Sequence, residues 1–346
     1  MVHAVRDATL VAHPGRVTAL VGPNGSGKTT LLLMLASLLR PDTGEVRIGG
    51  VDPVSDPQGA RALLGWMPDA LGAWPSLTVR ETLVTTARLY RIPHDKAAVR
   101  VGELIELVGL ADLADAPARV LSRGQKQRLG LARALVHEPG VLLLDEPASG
   151  LDPRARVELR QLLRRLAAEG RTILVSSHVL SELEEVADDA VFMVRGETVG
   201  ADRVAAAASR LSDWRVRLAA AGGEGADAVG RIVEALPEID GATVRSERRD
   251  ILIPFASESD AAAALARLVA AGLPVAEFAP ATGALERTFL GLGEDLDAGP
   301  GNRPGTEGGE GQSCRSSSQA PPRSPPSSCG SACAALRGTC CCRCSP

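Results

Sequence analysis

The stretch VTALVGPNGSGKTT, Val17 to Thr30, decides the fold. Its first five residues read as a buried strand, apolar on both faces because helices cover both sides. Gly22, Pro23, Asn24, Gly25, Ser26, Gly27, Lys28 and Thr29 then match G-x-x-x-x-G-K-[ST], and Thr30 follows within the opening helix. Glycines there let backbone N–H groups turn inward on phosphate oxygens, and the helix N-terminus adds partial positive charge. Lys28 is expected to reach the β- and γ-phosphates of a nucleotide, and the Thr29 hydroxyl to hold Mg2+. A plain glycine-rich turn would need neither the strand before it nor the helix after it.

Outward from this loop, residues 1–200 alternate short apolar runs with helical patterns, the signature of a parallel α/β sheet. VLLLD (141–145), TILVSS (172–177) and AVFMVR (190–195) repeat the buried-strand pattern. Residues 68–137 interrupt that rhythm with mainly helical sequence, where Thr78 and Glu81 form a capping box. A second unit follows from about residue 211, in the order strand, helix, strand, strand, helix, strand. That order predicts a small α+β domain of ferredoxin-like type. Its second helix, SDAAAALARLVAAG, is expected to be capped by Ser259 or Asp260.

Three further stretches carry chemistry. VLLLDEP places two carboxylates at the carboxyl end of a buried strand, where open α/β sheets bind ligands. Asp145 is expected to bind Mg2+ directly or through water, and Glu146 to act as general base on the attacking water. An Asp-Glu after an apolar strand is by itself a weak signal; paired with an upstream phosphate loop it is a strong one. His178 ends the next strand at the same sheet edge, within reach of a γ-phosphate. Finally, LSRGQKQR (121–128) opens a basic amphipathic helix with a serine and a Gly-Gln pair, a second anion-binding pattern about a hundred residues after the first.

Taken in order, these stretches resemble the ATP-binding cassette (ABC) ATPases, over about residues 1–200. The resemblance implies a Walker A loop at 22–29, a signature at 121–125, a Walker B strand at 141–146, a D-loop SGLD at 149–152 including Asp152, and a switch histidine at 178. It also implies why two phosphate loops occur. Two cassettes pair head to tail, and Ser122, Arg123, Gly124 and Gln125 of one protomer serve the nucleotide held by the other. ATP and Mg2+ are the implied cofactors. The implied partners are a second ATPase subunit, a homodimer in the simplest case, and a separately encoded membrane permease received by a groove at 68–95, with Leu71, Trp74 and Leu77 as candidate contacts.

Three positions depart from the family pattern. Arg123 stands where the common signature has its first glycine. Asp69 stands at the Q-loop position, where glutamine is usual; its shorter carboxylate can still reach Mg2+ or a bound water. Only 21 residues precede Gly22, with no Phe, Tyr or Trp among them, and the only ring side chains there are His3 and His13. The family's first strand, with its adenine-stacking aromatic residue, is therefore expected to be missing. If Met1 is the true start, ATP should bind more weakly than to a cassette with that ring; a start further upstream is the preferred reading.

Composition bounds the alternatives. The 346 residues carry 45% hydrophobic and 23% charged residues and a net charge of −4, which argues against a broad nucleic-acid-binding face. No apolar run approaches the roughly 20 residues that span a bilayer, and no secretory signal opens the chain. The expected location is the cytoplasm, peripheral on the inner face of the cell membrane. All seven cysteines lie in the last 33 residues. Three of them are contiguous and no paired C-x-x-C knuckle appears, which disfavours zinc.

The expected organisation is an ATP-binding domain at 1–205 with its helical signature subdomain at 68–137, the small domain at 206–293, and a disordered low-complexity tail at 294–346. The drug-resistance and type-two exporter branch of the family is the closest resemblance. The rival class is a cassette ATPase working on nucleic acid or the ribosome. Repair-type cassettes insert a long coiled coil, yet Ser122 follows Lys28 by only 94 positions without sustained heptads. Translation-type cassettes carry two ATPase units, and no second G-x-x-x-x-G-K-[ST] occurs.

Overall fold

The computed structural model describes residues 3–70, 72, 74–208, 211–219, 225–239, 243–247, 250–297 and 340–343. In chain order the first elements are β1 (Thr9–Ala12), β2 (Val17–Val21), α1 (Lys28–Leu35), β3 (Glu45–Arg47), α2 (Pro57–Leu63) and β4 (Leu64–Met67). The helical segment follows with α3 (Val79–Leu89), α4 (His94–Leu107) and α5 (Arg123–Leu135). The chain then returns to alternation with β5 (Val141–Asp145), α6 (Pro153–Ala168), β6 (Thr172–Ser176), α7 (Leu180–Glu184), β7 (Asp189–Val194) and β8 (Glu197–Thr198). Last come α8 (Ala201–Ala208), β9 (Ser212–Leu218), α9 (Gly225–Ala235), β10 (Arg245–Glu247), β11 (Asp250–Phe255), α10 (Glu258–Ala270), β12 (Val275–Pro280), α11 (Ala284–Asp297) and β13 (Cys340–Arg343).

One six-stranded sheet runs β4-β5-β6-β2-β7-β8, parallel from β4 to β7 and antiparallel at β8. Every residue of β2, β5 and β6 is buried, which is why these strands read as unbroken apolar runs. Because the strands are parallel, their carboxyl ends meet at one edge. The loops after β2, β4, β5 and β6 therefore gather there, although they are far apart in sequence. Helices cover both faces and build two separate cores, one around Leu83, Leu104, Leu129 and Leu142, the other around Leu20, Leu31, Leu32 and Leu143.

Residues 68–137 hold α3, α4 and α5. Thr78 and Glu81 form the capping box of α3, with the Glu81 N–H donating to Thr78 Oγ1 at 3.0 Å and the Thr78 N–H to Glu81 Oε2 at 2.8 Å. Of the groove residues, Trp74 is exposed with the Arg133 guanidinium 6.0 Å from its ring centre, Leu77 is half-buried, and Leu71 lies outside the described residues.

The second unit is a four-stranded antiparallel sheet in the order β10-β11-β9-β12, with its own core of Val216, Ile232, Ile253 and Leu268. The cap of α10 is Ser257, whose Oγ accepts the Asp260 N–H at 3.1 Å, rather than Ser259 or Asp260. Three cap-type side chains stand within four residues, and the end of β11 at Phe255 decides which one occupies the turn. Helix α11 does not join this sheet. It packs on α7 and α8 and carries Leu292 into the cassette core, with Leu285 and Phe289 against it.

The expectation that nothing is ordered after residue 293 needs correction at two places. Helix α11 continues to Asp297, and β13 sits between β1 and β3 in a three-stranded sheet, antiparallel to both. Composition argues against a segment that must build its own core, but β13 needs none. Two existing strands supply partners for its backbone groups on both sides, with Cys342 opposite Leu10 and Val46. The remaining tail positions, Cys314, Cys329, Cys333 and Cys344 included, lie outside the described residues, as do Met1 and Val2. Among the described residues no helix is long and apolar enough to cross a membrane.

Candidate functional site

β2 delivers the phosphate loop to the carboxyl edge of the sheet. There the chain turns tightly, with Gly25 and Gly27 at φ +80° and +102°, a region that side chains other than glycine enter at a cost. Gly22 is constrained differently: a Cβ there would lie 2.3 Å from the Met193 carbonyl oxygen and 2.6 Å from Ser26 Oγ. Helix α1 begins directly at Lys28, whose Nζ donates to the carbonyls of Gly22 and Pro23 at 2.7 and 3.0 Å. The ammonium thus arches over the loop that would wrap a phosphate. Burial lowers the pKa of Lys28, while the carboxylates of Glu146 and Asp145 act against that shift.

β6 lies between β2 and β5, so its last residue, Ser176, is paired with Leu20 on one side and Asp145 on the other. Ser176 Oγ donates to Asp145 Oδ1 at 2.5 Å and accepts the Glu146 N–H at 3.2 Å. The second oxygen of Asp145 accepts from Thr29 Oγ1 at 3.2 Å. A carboxylate and a hydroxyl therefore converge on one point at the base of the loop, an oxygen-donor set suited to a hard divalent cation.

Glu146 adopts φ +53°, a left-handed conformation that costs on the order of 1–3 kcal/mol for a residue other than glycine. Its N–H also donates to the Ser176 carbonyl at 3.1 Å, which fixes the turn after β5. Burial raises the Glu146 pKa, and the hydrogen bond from His178 opposes that rise. His178 Nδ1 donates to Glu146 Oε2 at 2.7 Å. These groups surround one open cavity of about 470 Å³, bounded by Gly27, Lys28, Thr29, Asp145, Glu146 and His178. Asn24, Gly25, Thr30 and Asp69 complete its walls with Arg123 and Ser149. A cavity that joins an ammonium and a glycine-rich loop to an oxygen-donor pair suits a polyphosphate.

Comparison with known proteins agrees. A family model described as ABC transporter matches residues 5–149. The daunorubicin resistance ATP-binding protein DrrA3 of Streptomyces coeruleorubidus is 35% identical over 291 residues, which cover 81% of this chain and 88% of that protein. The chain belongs to the ABC transporter ATP-binding family. The probable multidrug ABC transporter ATP-binding protein YbhF of Escherichia coli (strain K12) is 44% identical over 194 residues, 56% of this chain but only 33% of that protein. The cassette therefore spans about a third of the length of YbhF. Among solved structures, the dimeric post-hydrolysis ATP-binding cassette MJ0796 bound to ADP and Pi matches with a TM-score of 0.54 at 27% identity, covering 57% of this chain and 90% of that one. The cassette is thus an ATP-binding ATPase.

Within the cassette, Lys28, Thr29, Asp145, Glu146, His178 and Asp69 come together as expected. Ser122, Gly124 and Gln125 do not border the cavity of their own protomer. Instead Ser122 caps α5: its Oγ accepts the Gln125 N–H at 3.2 Å, and Gln125 Oε1 accepts the Ser122 N–H at 2.8 Å. Asp152 caps α6 through the Ala155 N–H at 2.8 Å, and that bond lowers its pKa.

Sequence reasoning did not find Ser176, Gln127, Arg156 or Glu182. Buried Gln127 donates weakly to the carbonyls of Asp69 and Glu146 at 3.3 and 3.4 Å. Arg156 spans from the Leu151 carbonyl at 3.2 Å to Glu182 at 2.9 Å, linking the start of α6 to α7. The SS in SSH was the only visible sign of Ser176; the other three look like ordinary polar helix residues.

Proposed function

We propose that this chain is the ATP-hydrolysing subunit of an exporter, working on a separately encoded permease through ATP-driven head-to-tail dimerisation. The observation that carries this reading is the incomplete cavity: the hydrolytic groups converge in one protomer while Ser122, Gly124 and Gln125 face elsewhere. A partner's signature helix, presenting its N-terminus, would supply the missing donors to the γ-phosphate. Relatives named for multidrug and daunorubicin resistance support export as the direction. Exposed Trp74 and half-buried Leu77 support the 68–95 surface as the permease groove, which would place the chain at the inner face of the cell membrane. The order β10-β11-β9-β12 supports a ferredoxin-like reading of residues 212–280, narrower than the expected 206–293, with α8 and α11 belonging to the cassette.

In this reading Lys28 and the loop amides bind and orient the β- and γ-phosphates. Thr29 and Asp145 would hold Mg2+, which when bound neutralises phosphate charge. Glu146 takes the proton of the attacking water, and His178 orients the Glu146 carboxylate. Each of these roles is strongest in a cavity sealed from bulk water by the partner.

The test is Glu146→Gln, which should abolish hydrolysis, keep ATP binding and trap a dimer in sedimentation with ATP. A variant that stays monomeric at high concentration would overturn the mechanism. Ser122→Arg should place bulk and charge against the partner's nucleotide. Unchanged turnover with permease present would show that the signature does not act across the dimer.

A further inference from the structure

The two departures from the family pattern inside the site, Arg123 and Asp69, meet each other. Arg123 Nη2 stands 3.8 Å from Asp69 Oδ1 and donates to Ser149 Oγ at 2.6 Å. Its aliphatic stem fills the space beside Gly150, where a Cβ would come within 2.7 Å of Arg123 Cδ. Gly150, at φ +73°, is thereby held to glycine twice over, by its backbone and by the arginine against it. One side chain at the start of α5 thus touches the segment after β4 and the turn between β5 and α6, all in its own protomer.

Helix physics does not explain this arginine. A cation in the first turn of a helix opposes the macrodipole. Nor does overall stability explain the pair. Both side chains are well exposed, at 68% and 49%, and such ion pairs add little to stability. What the pair does achieve is neutrality at a sensitive place. Asp69 and Arg123 both border the cavity that takes the nucleotide. Without either partner, the other side chain no longer ties its segment to the rest of the strap.

We propose that Arg123 and Asp69 form a strap within one protomer, locking the signature helix, the Q-loop segment and the D-loop turn together, so that the two residues are functional only as a pair. Arg123 is then a positioning residue acting in cis, whereas its neighbours Ser122, Gly124 and Gln125 act on the partner's nucleotide. The proposal rests on the reading of the site given above.

The experiment is a double-mutant cycle on the full chain, measuring ATPase kcat, KM and thermal stability for Arg123→Gln, Asp69→Asn and the double variant. Each single change should lower kcat about tenfold, with KM within about twofold and thermal stability unchanged, because misplacement rather than lost affinity is the defect. The double variant should be no worse than either single one, the tenfold loss counting once, a coupling of about 1.4 kcal/mol. Losses that multiply in the double variant would overturn the strap. So would a defect confined to KM, which would make Arg123 a nucleotide ligand instead. Glu146→Gln run in parallel separates the two levels: persistent hydrolysis there refutes the site itself, whereas an inactive Glu146→Gln with an uncoupled cycle refutes only the strap.

Discussion

His178 Nδ1 lies 2.7 Å from Glu146 Oε2, joining the end of β6 to the end of β5 across 32 residues of sequence. A neutral imidazole donates from one nitrogen only. While that proton serves Glu146, the ring can give a second one to a phosphate only as imidazolium. The same bond tunes the base. Burial is the main influence raising the Glu146 pKa, and the His178 bond is the main one lowering it.

A general base works deprotonated, so the acid limb of kcat should lie above the ordinary glutamate range. His178→Ala removes the main influence opposing burial, and the limb should move to higher pH as the plateau falls. Profiles of kcat from about pH 5 to pH 8 would show this. An acid limb in His178→Ala that coincides with the parent's would contradict the arrangement.

Ser176 controls the other carboxylate. Its hydroxyl donates to the Asp145 oxygen that Thr29 does not engage, and it accepts the Glu146 N–H. Groups that orient a ligand to a cation typically contribute about 10–100-fold in affinity. Ser176→Ala should therefore raise the Mg2+ concentration for half-maximal ATPase about tenfold or more, with the fold intact by circular dichroism. An unchanged Mg2+ dependence would remove Ser176 from the site.

These dependences explain what the sequence could and could not show. Gly22, Lys28, Asp145 and His178 were legible because phosphate and cation chemistry demands those residue types directly after strands, and strands announce themselves by apolar runs. Ser176, Gln127 and the Arg156–Glu182 link were not, because each acts through a neighbour that only the strand order or helix docking brings close. The Arg123–Asp69 contact was half legible. Both residues stood out as departures, but nothing in the chain says that positions 54 apart face each other. The four residues of β13 were missed for the opposite reason, since their order depends on partners rather than on their own composition.

His137 predicts a pH dependence of stability. Its ring stacks on Tyr90 at 3.7 Å, and Nε2 donates to the Leu64 carbonyl at 3.0 Å. Burial pushes its pKa down to about 4 from 6.5. The unfolded chain takes up a proton near the ordinary value while the folded chain does not. The stability held above pH 6.5 is therefore lost progressively as pH falls toward 4. His137→Phe keeps the stack on Tyr90 but cannot titrate. It should melt lower than the parent near neutrality, where the Leu64 carbonyl has lost its donor, and the gap should narrow as pH drops toward about 5. Parallel melting curves at all pH values would show that His137 is protonated in the fold.

Helix α11 yields the last prediction, because it follows the second unit in sequence yet packs on the first. Leu292 is fully buried in the cassette core beside Ala207, and Leu285 and Phe289 pack against that core. At the helix start, the Leu285 N–H donates to Glu184 at the end of α7, the helix that follows His178. A Cβ at Gly283 would meet the Glu184 carboxylate, which would have to shift and loosen that contact. The helix thus braces the segment that carries His178, although it contributes no side chain to the cavity. Leu292→Ala should destabilise the cassette by about 2–5 kcal/mol, the usual cost of emptying a leucine site. A change of that size at a tail-proximal position would show as a melting-temperature drop of several degrees. ATP affinity should stay near the parent's at temperatures where the variant is folded, because the phosphate loop is untouched. Full parental stability in Leu292→Ala would mean that α11 does not dock on the cassette in solution.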